Sequence, residues 1–229
     1  MFRHVPNALT ASRLVLAAVF FTILSFYQHE GRGDPTMLNI AFVVYLIALI
    51  TDFLDGYLAR RWKVEGAFGR VVDPFVDKVL VIGSFIFFAG KNFIRPETVH
   101  DSLGGVPDPT MVGRTITGVV PAMVVIILTR ELMVTSFRGS GEAAGANFGA
   151  AFSGKLKMVF QSMTILVILV YVNYVDDLDR LRLELPARVV RDLCIWLTIA
   201  VTVFSGLLYL QRALAMYRGH PPPADATKA

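Results

Sequence analysis

Apolar residues fall into six long runs separated by short polar segments, and that rhythm predicts six membrane-crossing helices. The runs lie near Leu9–Tyr27, Met37–Leu58, Pro74–Ile94, Thr115–Thr135, Leu156–Val175 and Val189–Leu210. Each approaches or exceeds the roughly 20 residues needed to cross the hydrocarbon core. A helix satisfies its own backbone polar groups there, so the predicted fold class is an all-α integral membrane protein. The first run resembles a secretory leader in length, but Arg13 interrupts it and no convincing small-residue cleavage site follows, so it reads as a span. Between runs, Lys91–Arg114 carries Pro96, Pro107, Pro109 and the Gly104–Gly105 pair and reads as an outer loop. Gly139–Gly154, rich in Gly and Ala, reads as an inner one. Its Gly141, Gly145 and Gly149 mimic a helix-dimerisation spacing, yet Glu142 and Asn147 place it outside lipid. From His220 onward three prolines prevent a helix from continuing. The domain plan is therefore a single six-helix membrane domain over 1–219 and a disordered tail over 220–229.

Composition sharpens this picture. Of 229 residues, 55% are hydrophobic and only 17% charged, against about 45–50% and about 25% in soluble chains. Mean hydropathy is +0.58. Disorder, a fibrous repeat and a disulfide scaffold are excluded, the last because Cys194 is the sole cysteine. The net charge of +4 does not point to nucleic acid, because the bases flank apolar runs instead of forming one stripe. With both termini on the cytoplasmic side, fourteen of the 22 Lys and Arg residues fall inside, as the positive-inside rule expects. Trp62 reads as an interfacial anchor, Trp196 as packed within its span and Cys194 as a buried small hydrophobe.

Four aspartates break the pattern. Asp52 and Asp55 end one apolar run, while Asp73 and Asp77 begin the next. Charged side chains inside a span are costly and mark functional sites. Three- and four-residue spacings put each pair on one helix face, and a short basic connection brings both pairs to one membrane–water boundary. Pro74 suits a first helical turn, which predicts Asp73 as the cap and Asp77 one turn in. Four close carboxylates repel unless cations neutralise them. Hard oxygen donors suit Mg²⁺, Mn²⁺ or Ca²⁺, and no His or Cys nearby favours zinc. Paired divalent ions held this way clamp a phosphoryl group during in-line displacement. Gly56 and Ala59 keep one helix face bare, Arg60 offers a fork-shaped phosphate donor, and Gly69 clears the cleft edge. Helix capping with snorkelling charges accounts for one such aspartate, but poorly for four.

The string Asp52-x2-Asp55-Gly56-x2-Ala59-Arg60-x8-Gly69-x3-Asp73-x3-Asp77 resembles the signature of the CDP-alcohol phosphotransferase family. Eight fixed positions coincide by chance with a frequency on the order of 10⁻¹⁰ per start. The resemblance implies a six-helix membrane enzyme with its site at the cytoplasmic face of a bacterial-type inner membrane. It implies that Asp52, Asp55, Asp73 and Asp77 bind two divalent metal ions, Mg²⁺ or Mn²⁺, and that Asp77 is the general base. Asp55, Gly56, Ala59, Arg60 and Gly69 would contact the cytidine diphosphate moiety, and homodimers are usual in the family.

Other segments look like the phosphatidylglycerophosphate synthase branch. They are Pro6-Asn7-Ala8-Leu9-Thr10-x-Ser12-Arg13, Arg130-Glu131-Leu132, Arg138 and Gly154-Lys155-x-Lys157-x3-Gln161. Met158 is a departure, standing where that branch leads one to expect Thr. Those enzymes join CDP-diacylglycerol to sn-glycerol 3-phosphate and release CMP. An anionic acceptor needs cations beside the metal site, and Arg130, Arg138, Lys155 and Lys157 lie at the inner ends of two spans, where positive-inside topology also places bases. Asn7, Thr10 and Arg13 are weaker candidates for the site. Within the family the acceptor alternatives are phosphatidylglycerol, as for cardiolipin synthases, and an inositol phosphate. An ion-coupled transporter is a rival from another class. Transporter carboxylates sit at the bilayer midplane on broken helices related by a repeat; here they adjoin Arg60, Arg61 and Lys63 at one boundary, with no long repeat.

Overall fold

The computed structural model describes residues 5–29, 34–62, 67–94, 115–143 and 152–217; over 5–9, 55–62, 67–74 and a few other positions it describes the backbone alone. Six α-helices make up nearly all of it: α1 (Val5–Phe26), α2 (Pro35–Trp62), α3 (Ala67–Phe88), α4 (Pro121–Ala143), α5 (Phe152–Arg180) and α6 (Glu184–Tyr217). A 3₁₀ turn, Lys91–Phe93, follows α3. Strand character among the described residues is limited to an isolated bridge between Ile94 and Thr115. The all-helical expectation therefore holds. Three helices contain stretches long and apolar enough to cross a membrane, Pro35–Leu54, Leu156–Arg180 and Glu184–Gln211, and Thr10–Phe26 is a shorter apolar helix.

Helix boundaries depart from the apolar runs in instructive ways. Helix α3 begins at Ala67, upstream of Pro74, so Pro74 is an interior residue and Asp73 is not an N-cap. The missing amide of a proline favours the first turn but does not enforce it. Helix α4 starts at Pro121 instead of near Thr115, and there proline does occupy the first helical position. The same helix reaches Ala143, and α5 starts at Phe152, so part of the expected Gly139–Gly154 loop is helical. The outer loop beyond Ile94, the centre of the inner loop and the tail lie outside the described residues. At the start of α2, Asp34 Oδ1 accepts the Thr36 amide at 2.8 Å. That bond satisfies an orphan donor of the first turn and holds the exposed carboxyl below its usual range.

Helix α1 packs against α2 and α3, α2 also against α5, and α5 along α6; α4 lies against α6 and α3. Each helix buries one stripe at three- and four-residue intervals. On α1 the stripe is Thr10, Arg13, Ala17, Phe20 and Leu24; on α2 it is Leu38, Ala41, Tyr45 and Ala48. Phe20 and Tyr45 bring their rings within 5.4 Å across that contact. Helices α1 and α3 approach closely at Gly83, where an added Cβ would lie 2.4 Å from Phe21 Cζ. Outward faces are strongly apolar, with Phe26, Phe53, Phe204 and Leu193 exposed, a surface suited to lipid and unusual for a soluble monomer. Trp196 belongs to that surface. At 62% exposed it does not pack within its span, because an almost uniformly apolar helix leaves its inward face unmarked in the sequence. Cys194 is half-buried, not fully enclosed.

Candidate active site

Two carboxylates from different helices meet on one arginine. The buried stripe of α2 continues one turn past Ala48 to Asp52, and on α3 the buried Val81, Phe85 and Phe88 extend back to Asp77. Both helices pack on α1 and on α5. The side chain between them comes from α1. Arg13 is 1% exposed, and its Nη1 lies 3.0 Å from Asp52 Oδ1 and 3.1 Å from Asp77 Oδ1. A buried guanidinium alone would be strongly unfavourable; the two carboxylates offset that cost and are themselves kept from repelling. Tyr45, Ala48, Leu80, Met158 and Ser162 complete the walls of this cleft. Met158, the departure from the branch pattern, thus lies in the same cavity as the carboxylates.

Whether these residues suit a metal can be judged from the donors. Asp52 and Asp77 each direct an oxygen to one shared cationic nitrogen, so a positive charge already occupies the space between them. Both are hard donors, and both carboxylates keep partial access to solvent. Carboxylate oxygens are the hard donors that Mg²⁺ or Mn²⁺ takes, and Asp52 and Asp77 supply two of them here. Among the described residues no three metal-ligating side chains gather. The side chains of Asp55 and Asp73, and those of Ala59 and Arg60 in the nucleotide-binding expectation, lie outside the described residues, as does that of Asn7, and Gly56 and Gly69 are described by their backbone alone. Their backbone is helical: Asp55 to Arg60 on α2, and Gly69 and Asp73 on α3. Thr10 is fully buried one turn before Arg13.

A second polar cluster joins α4, α5 and α6. Arg130 Nη1 donates to Glu131 Oε1 at 3.0 Å, and Lys157 Nζ donates to the same oxygen. All three residues are buried. Arg130 Nε also donates to Ser205 Oγ at 3.1 Å, and its guanidinium lies 5.6 Å from the centre of the Tyr209 ring. Of the four expected acceptor cations, Arg130 and Lys157 are thus brought together; the side chains of Arg138 and Lys155 lie outside the described residues.

Two participants were not singled out by sequence reasoning. Glu131, inside the Arg130-Glu131-Leu132 motif, carries no signal of its own in the sequence. Lys78, next to Asp77, donates to Thr135 Oγ1 at 2.6 Å, and that hydroxyl donates to the Glu131 carbonyl at 2.7 Å. The link connects the aspartate-bearing helix α3 to α4. A cation immediately after the last aspartate was the available signal.

Comparison with known proteins points to one family. The family model described as CDP-alcohol phosphatidyltransferase matches residues 3–204. A Bacillus subtilis protein named CDP-diacylglycerol–glycerol-3-phosphate 3-phosphatidyltransferase is 28% identical over 220 residues, covering 91% of this chain and 94% of the relative. A Mycobacterium tuberculosis protein named "Probable phosphatidylglycerophosphate synthase" is 32% identical over 212 residues, covering 92% and 82%. A Haemophilus influenzae protein with the same name as the Bacillus one is 28% identical, covering 92% and 93%.

Proposed function

The chain belongs to the CDP-alcohol phosphatidyltransferase family, and from that premise we propose that it transfers the phosphatidyl group of CDP-diacylglycerol to sn-glycerol 3-phosphate, giving phosphatidylglycerophosphate and CMP. The observation that carries the reading is the convergence of Asp52 and Asp77, from two helices, on one buried cation. Relatives covered almost end to end bear the name of this reaction.

The reaction is an in-line displacement at the β-phosphorus. The glycerol phosphate hydroxyl attacks, the phosphorus–oxygen bond to CMP breaks, and the hydroxyl proton passes to Asp77. Two divalent ions held by Asp52, Asp55, Asp73 and Asp77 would, when bound, neutralise the pyrophosphate and the charge developing on CMP. The position of Asp77 in the cleft wall, partly solvated, supports that role. Aspartate is a weak base, with an ordinary pKa near 3.9, so it acts on a hydroxyl already polarised as the proton moves late. Gly56, Ala59, Arg60 and Gly69 hold the cytidine diphosphate. Arg130, Arg138, Lys155 and Lys157 receive the acceptor's phosphate, a role supported by two buried cations, Arg130 on α4 and Lys157 on α5, that meet on Glu131.

One substrate carries acyl chains and the other is water-soluble, so the site belongs at a membrane surface. All six helices span the membrane in this reading, with the site and both termini cytoplasmic and the chain working as a homodimer. Release of CMP, with CDP-diacylglycerol fixed and sn-glycerol 3-phosphate, an inositol phosphate or phosphatidylglycerol supplied in turn, tests the assignment. The expected result is turnover with glycerol 3-phosphate; preference for either other acceptor would replace it.

A further inference from the structure

We propose that Glu131 is a positioning residue for the acceptor's phosphate: its carboxylate gathers Arg130 and Lys157 at one point and sets the charge the acceptor meets. This rests on the acceptor reading above. Arg130 on α4 and Lys157 on α5 are both buried, where like charges repel through a low dielectric. Both donate to one oxygen, Glu131 Oε1.

The two cations are not held equally. Arg130 has its own framework: the hydrogen bond to Ser205, the Tyr209 ring, and a close backbone approach at Gly206, where an added Cβ would lie 3.1 Å from Arg130 Cγ. Lys157 has no comparable set among the described residues, and its ammonium rests on Glu131. Removing the carboxylate therefore frees Lys157 and leaves two buried cations facing each other.

Stability alone explains the cluster poorly. Well-packed apolar residues in place of a buried ion triad are often neutral or stabilising. The placement suits ligand handling better. Met158, next to Lys157, lines the aspartate cleft, and Lys78 reaches the Glu131 carbonyl through Thr135. Two cations and one carboxylate leave one net positive charge, which attracts a phosphate monoester and gives an uncharged alcohol nothing.

The test is CMP release by the full chain in lipid–detergent micelles, with each substrate varied in turn. E131Q is expected to raise KM for sn-glycerol 3-phosphate about tenfold or more, the loss of one charge-assisted contact, while KM for CDP-diacylglycerol stays within about twofold. E131D retains the charge on a shorter arm and is expected to recover part of the loss. An unchanged glycerol 3-phosphate KM in E131Q, or an equal rise in both KM values, overturns the proposal. Where E131Q does not accumulate as folded protein, E131D decides: a severalfold rise confined to glycerol 3-phosphate supports it, and an unchanged KM overturns it. Absence of CMP release by the wild-type chain with glycerol 3-phosphate would instead overturn the acceptor reading, and this inference with it.

Discussion

Arg13 and Asp77, 64 positions apart in the chain, meet at 3.1 Å between Nη1 and Oδ1. The contact sets the electrostatics of the cleft, because the same nitrogen also faces Asp52. The arginine does for the carboxylates what a bound cation does: it permits them to approach.

Arg13→Met keeps most of the side-chain volume and removes the charge. Breaking a fully buried pair costs about 3–5 kcal/mol. Both aspartates are partly solvated, so the expected loss is smaller, about 1–3 kcal/mol. Thermal unfolding in detergent should show a lower Tm, with added Mg²⁺ recovering part of it. A variant with wild-type Tm in chelator and in Mg²⁺ alike would show that the ion pair carries no stability.

Asp77→Asn should still fold, with Asp52 left to pair with Arg13, and lose turnover by a factor of about 10²–10⁴, the usual contribution of a positioned proton acceptor. CMP release close to the wild-type rate would exclude Asp77 as the base.

Chelation is the direct check on the cofactor. EDTA should abolish CMP release, and Mg²⁺ or Mn²⁺ added in excess should restore it. Persistent turnover in chelator would remove divalent ions from the proposed chemistry.

Gly83→Ala tests the packing of α1 on α3. The new Cβ would sit 2.4 Å from Phe21 Cζ, so the ring must shift from its stack on Phe87, where the ring centres are 5.5 Å apart. Overpacking of this kind costs about 1–3 kcal/mol, more than the gain of up to about 1 kcal/mol from replacing a helical glycine. Tm should fall, and pairing the change with Phe21→Leu should recover it. An unaltered Tm for the single variant would mean the interface yields freely.

Much of this architecture is legible in the sequence because it rests on local spacing. The apolar runs predict helices, and the interval from Asp52 to Asp77 marks the site through charges that lipid-crossing segments ordinarily exclude. What escapes is long-range. Nothing near Arg13 states that its partners lie on the second and third helices. Glu131 stands beside Arg130 and reads as an ordinary neighbouring pair, since Lys157 is 26 positions away. Lys78 and Thr135 meet across 57 positions. Trp196 faces outward for a related reason: composition says a helix is apolar, but only its neighbours decide which side turns outward. Pro74 lies inside α3 because the preference of proline for first turns does not set a boundary.

The interior place of Pro74 bears on how the aspartates can adjust. Asp77 lies three positions further on, and the proline ring nitrogen carries no hydrogen, so the Arg70 carbonyl one turn earlier lacks its helical donor. The ladder of α3 is short of a rung at the level of the acidic residues. Bending concentrates at such gaps. A helix short of one bond bends more readily at that level, so the backbone from Arg70 to Pro74, which carries Asp73, is the compliant part of α3 in the proposed site.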